Sequence, residues 1–476
     1  MRIAGIFRQL LLLALMCTAG VAVSAERTLD HATLQRLSKL TPDASFALEA
    51  FPSGPTGTAS FRLKHVPIYA PDAHIYLIGT GGTRHEIPRS TRVFLRGYAA
   101  DGSARVAMVL EADGAFVEGN GEGPEGAFAL EARSDASGTQ TFSAKPLESM
   151  LPSPNAFEFR CGNESINVTP HPANDLAAQL QLATSSASIS PPPGTAASYR
   201  TATIAIDTDS LFMSRLFSNN TTSATNWIAS MFNTMNTMYE NDLQVQLLIG
   251  TTFLRTSAAS DPYTAMLPNN PGADPQGLRM PANLNIFGAY WKTNEGSVPR
   301  AFATMLSGQI ASSGGGCSAA GIAWVDEYCQ KGFTSGSNTV GSFNLTQVCT
   351  NLGVDPNGTF DARIVGHEIG HNFGADHTHC TNITTGASRV ATNTIDACYN
   401  GEANNGCYAG ATSCPSGHTS GTIMSYCNIT GCGTQNQLHF HNTHITKVLL
   451  PDIAANTPSC IGAALPDEIF KNGFGG

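Results

Sequence analysis

The sequence predicts an α/β domain, a twisted mixed sheet with one metal-site helix, preceded by a separate β-rich domain. Three observations predict it. Residues 26 to about 160 run in short alternating apolar and polar stretches, such as Phe61-Arg62-Leu63-Lys64 and Arg92-Val93-Phe94-Leu95-Arg96, punctuated by glycine turns such as Asp101-Gly102. Residues 201–206 then read as a strand. A helix follows with Ile228, Met231, Phe232, Met235, Met238 and Tyr239 at helical spacing, and residues 243–249 read as another strand. The third observation is the segment His367-Glu368-Ile369-Gly370-His371-Asn372-Phe373-Gly374-Ala375-Asp376-His377.

That segment reads H-E-x-x-H-x-x-G-x-x-H without a mismatch. Histidines four apart on a helix project from one face, so both imidazoles reach one metal ion. Val365, Ile369 and Phe373 form an apolar stripe on the other side, which lets the helix pack on a core while its histidines face a cleft. Gly374 lets the chain leave the helix and return His377 as a third nitrogen ligand. Three nitrogens leave a fourth position for water, the mark of a catalytic Zn2+ rather than a structural one. Glu368, next to the first ligand, is placed to take a proton from that water. One catalytic zinc ion is therefore expected; a calcium site is not readable.

Downstream lies Gly421-Thr422-Ile423-Met424-Ser425-Tyr426-Cys427. With the long zinc motif, this stretch resembles the metzincin clan of zinc endopeptidases, in which a methionine-containing turn lies beneath the metal; Met424 takes that place. The motif together with residues 321–325 (Gly-Ile-Ala-Trp-Val) is most similar to the reprolysin/adamalysin branch, and 321–325 looks like its substrate-pairing edge strand. Two positions depart from that branch. Thr378 stands where adamalysins usually carry aspartate, and Tyr426 is similar instead to the switchable tyrosine of astacins and serralysins, a candidate hydrogen-bond donor to the oxyanion. The resemblance covers roughly residues 198–450. It implies a metzincin-like catalytic domain that cleaves peptide bonds in protein or peptide substrates. Two alternatives stay open on the residues: an exported zinc-fold binding or adhesion module without turnover, and a zinc exopeptidase.

The organisation follows. Arg2 and Arg8, an apolar stretch over residues 10–23 and Val23-Ser24-Ala25 describe a signal peptide over 1–25, so the product is expected to be secreted, or periplasmic in transit. No later stretch is long and apolar enough to anchor it in a membrane. A net charge of -10 argues against nucleic acid as a partner, and a monomer is expected. Residues 26–182 read as a β-rich propeptide, 183–198 as a small-residue, proline-bearing linker, 199–465 as the catalytic domain and 466–476 as a tail.

Of the eleven cysteines left after Cys17 departs with the signal, ten fall between Cys317 and Cys460, which reads as five disulfides of unreadable connectivity. The eleventh, Cys161, lies upstream in Phe159-Arg160-Cys161-Gly162-Asn163. This resembles the cysteine-switch segment of metalloproteinase propeptides. A thiolate binds zinc tightly and would occupy the position that water needs. His439, His441 and His444 are expected on the surface or a pocket wall. Asn163 and Asn344 are among the Asn-x-Ser/Thr sites that a glycosylating host would use.

Overall fold

The computed structural model describes residues 25–42, 44–150, 157–165, 199–268, 279–309, 311–313, 316–348, 358–415, 421–432 and 436–463, with the side chains of 157–160, 164–165, 311–313 and 316–319 left aside. The segments expected as signal peptide (apart from Ala25), linker and tail lie outside the described residues, as does Cys349.

The N-terminal region begins with β1 (Glu26–Leu29), α1 (His31–Ser38), β2 (Ser45–Pro52) and β3 (Thr58–His65), and continues with β4 (Ile75–Ile78) and β5 (Arg84–Ile87). Then come β6 (Val93–Ala99), β7 (Arg105–Leu110), β8 (Phe116–Gly123), β9 (Gly126–Ser134), β10 (Gln140–Pro146) and β11 (Phe157–Cys161). Eight of these strands form an antiparallel sheet in the order β1-β10-β9-β8-β7-β6-β3-β2. Alternation along each strand sends one face inward. Phe51, Phe61, Leu63, Leu95, Phe128 and Phe142 fill that core, all at 1% exposure or less.

The C-terminal region comprises β12 (Arg200–Thr208), α2 (Thr221–Met238), β13 (Val245–Arg255), α3 (Arg279–Asn294), β14 (Phe302–Ser307), β15 (Ala311–Ser313) and β16 (Gly316–Ala323). The hairpin of β17 (Phe333–Ser335) and β18 (Asn338–Val340) follows, then β19 (Phe343–Gln347) and α4 (Asp361–Asn372). Parallel strands β19, β14, β12 and β13 make the centre of its sheet, and β16 joins β19 antiparallel. The methionines and aromatics at helical spacing on α2 (Met231, Phe232, Met235, Met238) are fully buried in the core with Val365, Ile369 and Phe373 on or beside α4.

The two regions are not separate bodies. The full path of the second sheet is β11-β16-β19-β14-β12-β13-β4-β5, so strands of the N-terminal region close it at both ends. β4 pairs with β13 in parallel, from Thr252 opposite Ile75 to Arg255 opposite Ile78. β11 pairs with β16 in parallel, from Phe157 opposite Cys317 to Cys161 opposite Gly321. The apolar run Ile75-Tyr76-Leu77-Ile78 suits a strand but carries no information about which sheet receives it.

Past α4 the chain has few regular elements and is held by disulfides Cys380–Cys407, Cys398–Cys427, Cys414–Cys432 and Cys329–Cys460. These pair eight of the ten expected cysteines. Among the described residues no helix is long and apolar enough to cross a membrane. Two expectations change. Asn163 and Asn344 are fully buried, which closes both to a glycan. His444 is also fully buried, its Nε2 3.0 Å from Thr381 Oγ1, because the chain after Phe440 folds back on the disulfide-held loop.

Burial pulls the His444 imidazole down to about 3, with His441 adding to the shift. The unfolded chain therefore binds a proton near pH 6.5 that the folded one refuses. Stability from this group is full above pH 6.5 and falls as pH drops toward 3, by at most about 1.4 kcal/mol per pH unit. Urea unfolding between pH 6.5 and 4 is expected to show a shallower pH slope for His444→Gln than for the parent; equal slopes would contradict the assignment.

Candidate metal centre

Helix α4 packs against β16 and carries His367, Glu368 and His371, all three buried. At Gly374 the backbone takes φ 107°, a value that favours glycine, and the chain turns back to bring His377 alongside. The imidazole centroids of His367, His371 and His377 lie 4.6 to 5.3 Å apart.

Each ring is oriented by the nitrogen that faces away from the cluster. His367 Nδ1 donates to the carbonyl of Ile423 at 2.8 Å, and His371 Nδ1 to the carbonyl of Ala375 at 2.7 Å. His377 Nδ1 meets Glu402 Oε2 at 2.6 Å. A carbonyl can only accept, so the first two rings carry their proton on Nδ1 and point an Nε2 lone pair inward. Burial, reinforced by the neighbouring imidazoles, lowers His367 to about 3 and His371 in the same direction, so both are neutral. For His377 burial works downward as well, but Glu402 outweighs it and raises the ring's basicity.

One ligand atom from each histidine and Cys161 Sγ all lie within 4.8 Å of one another, and all four residues are buried. His377 Nε2 has no hydrogen-bond partner among the described residues. Three imidazole lone pairs and a sulfur converging on one buried point fit a zinc ion. Cys161 Sγ lies 3.5 Å from His371 Nε2 and 3.7 Å from Glu368 Oε2. Burial pushes this thiol well up, and Glu368 adds to it; a metal would reverse that by favouring the thiolate.

Glu368 is fully buried, and burial raises its pKa well above the ordinary carboxyl range while the Cys161 contact opposes the shift. Its position depends on Gly321, the residue opposite Cys161 in the strand register: a β-carbon there would lie 2.1 Å from Glu368 Oε1. Met424 is fully buried in the turn below α4, where a β-carbon at Gly370 would come within 2.8 Å of its sulfur. The same turn supplies the Ile423 carbonyl to His367, and the Met424 carbonyl to the backbone N–H of Thr378 at 3.1 Å. Tyr426, also fully buried, packs its ring 4.5 Å from that of His377 and donates its hydroxyl to the carbonyl of Cys161 at 3.2 Å. Seven residues scattered over 161–426 in the sequence are thus gathered in one place.

The sequence reading missed Glu402. Its Oε2 accepts from both His377 Nδ1 and His379 Nε2 at 2.6 Å, and Arg389, which also pairs with Asp376, lies 3.3 Å from its Oε1. Burial alone would favour the neutral acid, but His377 and His379 hold the carboxylate well below its usual range. The Cys380–Cys407 disulfide fixes the loop that carries it. One signal was available, since Glu402 is the only glutamate between Cys380 and Cys427. A carboxylate on the outer nitrogen of a ligand histidine fixes its tautomer and strengthens it as a donor. Glu402→Gln is therefore expected to weaken zinc retention by roughly 10–100-fold in chelator competition on the intact chain. Unchanged retention would show that Glu402 only packs the loop.

No curated protein matches the chain. Among solved structures, a chain described as the structure of a chaperone-substrate complex is 14% identical, over 39% of this chain and 26% of its own length, with a TM-score of 0.23. That likeness is too low to carry any argument, and the match spans about a quarter of that structure's length. Residues 198–440 match a reprolysin-type family model described as metallo-peptidase family M12. That span is more than half of the 476 residues and contains the three histidines, so this protein belongs to metallo-peptidase family M12.

Proposed function

We propose that the chain is a secreted zinc endopeptidase made as a latent precursor. The observation that carries this reading is Cys161, an N-terminal thiol 3.5 Å from His371 Nε2 inside a cluster of three histidines. Zinc held by His367, His371 and His377 would polarise the scissile carbonyl and lower the pKa of its bound water toward ~7. Glu368 takes a proton from the attacking water and returns it to the departing amine; its burial, which favours the protonated carboxyl, suits it to hold that proton. Tyr426 hydrogen-bonds the substrate carbonyl oxygen, as it now does that of Cys161. Met424 supports the site from below.

β16 offers its edge to an extended peptide. Residues 157–161 already pair along it, and the Ala323 N–H donates to Asn163 Oδ1 at 3.1 Å beyond them. Polypeptide thus runs on both sides of the position facing Glu368, which favours internal cleavage over end trimming. The four disulfides favour an oxidising compartment.

Glu368→Gln is expected to keep zinc while turnover falls by about 10²–10⁴-fold, the contribution usual for a positioned proton carrier. Zinc content and cleavage of a denatured protein substrate, measured together, test this; full turnover with zinc bound would reject the assigned base. Cys161→Ser removes the thiol that blocks the fourth position. Its precursor should cut substrate without prior processing, whereas latency equal to the parent's would reject the switch.

A further inference from the structure

The N-terminal region makes two different kinds of contact with the peptidase domain. One is β11 and Cys161, which lie in the site itself through a parallel edge pairing of five residues. The other lies at the opposite end of the sheet and is far more extensive.

There β4 and β5 extend the peptidase sheet beyond β13. The backbone pairing continues upstream, where the Ala70 and Ile249 N–H groups donate to the carbonyls of Ile249 and Ile68, each at 2.8 Å. Beneath it, Arg96 of β6 is fully buried and reaches Glu240 with two nitrogens, at 2.9 and 2.5 Å, and Asn233 with the third, at 2.9 Å. Asn233 in turn donates to the carbonyl of Met108 at 3.2 Å, and Asn120 donates to Thr234 at 2.9 Å. Val66, Ile68, Ile75, Phe94 and Val109 belong to the same apolar core as α2 and β13.

This second contact has the character of a domain interior. Loss of the N-terminal region would strip β13 of its outer neighbour and leave a long apolar strand edge open to aggregation. It would also leave the buried Glu240 and Asn233 without the guanidinium they share, an uncompensated charge of the costly kind. Nothing in the chemistry of the metal centre requires that loss: among the described residues the one N-terminal ligand atom at the cluster is Cys161 Sγ, with Ala129 and Leu147 packed beside it and Tyr426.

We propose that residues 25–150 form a permanent structural subunit of the peptidase, docked on the β13 edge and the Arg96–Glu240 contact, and that activation displaces only the segment around Cys161. The identity of that displaced segment rests on the latency reading; the permanence of the docking does not.

The test uses the full chain with a recognition sequence for a site-specific protease placed within residues 183–198. After nicking, native size exclusion is expected to return both pieces together, in a 1:1 ratio and at the mass of the uncut chain. Elution of the two pieces apart would overturn the proposal. A nicked chain carrying Cys161→Ser should co-elute just as well, and its separation would equally overturn the proposal by making the switch the only tether. Nicked Arg96→Met, still folded through the uncut stage, is expected to release its N-terminal piece at least tenfold faster than the parent. A release rate equal to the parent's would remove Arg96 as the anchor and overturn the docking as drawn. Peptidase activity of the nicked parent complex is read separately. An intact nicked parent complex that cuts substrate with Cys161 still in place would reject the latency reading and leave the subunit in place.

Discussion

Everything at the proposed active centre depends on where three imidazole rings put their protons. A histidine can offer a metal one lone pair only if its other nitrogen is occupied, and in this chain each outer nitrogen is engaged by a fixed group. The carbonyls of Ile423 and Ala375 and the carboxylate of Glu402 are those groups. They come from three places in the chain: the methionine turn, the loop after Gly374 and a disulfide-held loop. The turn, the loops and the disulfide that holds Glu402 are thus ways of holding three hydrogen bonds. This explains why so much irregular chain after α4 is kept rigid by covalent links rather than by a second core.

The same constraint ties the peptidase domain to its N-terminal partner. Glu368 can lie against β16 only because Gly321 has no side chain, and Cys161 enters the cluster directly opposite that glycine. Space made for the proposed base is therefore space through which another polypeptide can approach, whether a substrate or the chain's own N-terminal segment. At the far end of the sheet β4 and the Arg96–Glu240 pair bind without any involvement of the metal centre. Blocking the site and completing the fold are carried by different parts of one region, which gives each its own response to change.

Much of this was legible in the sequence, and what was hidden has a physical reason. The α4 helix, its apolar stripe and the turn at Gly374 follow from local periodicity and glycine chemistry, so residues 361–377 could be read directly. Cys161 stood out through the odd cysteine count, and the β-rich N-terminal region through its alternation. The destination of β4 and β5 was not legible, because a four-residue run such as Ile75-Tyr76-Leu77-Ile78 marks a short strand and not the sheet that accepts it. Glu402 was hidden for another reason. A loop brings it to His377 from 25 residues away, and no period links the two. His444 read as a surface or pocket-wall residue because its spacing carries no sign of the loop that covers it.

The most direct measurement is zinc K-edge X-ray absorption on the intact, uncut chain loaded with one equivalent of zinc. Ligation by His367, His371, His377 and Cys161 is expected to give three nitrogens at about 2.0–2.1 Å and one sulfur at about 2.3 Å, with the sulfur replaced by a lighter atom in Cys161→Ser. A first shell without sulfur in the intact chain would contradict the latent zinc centre.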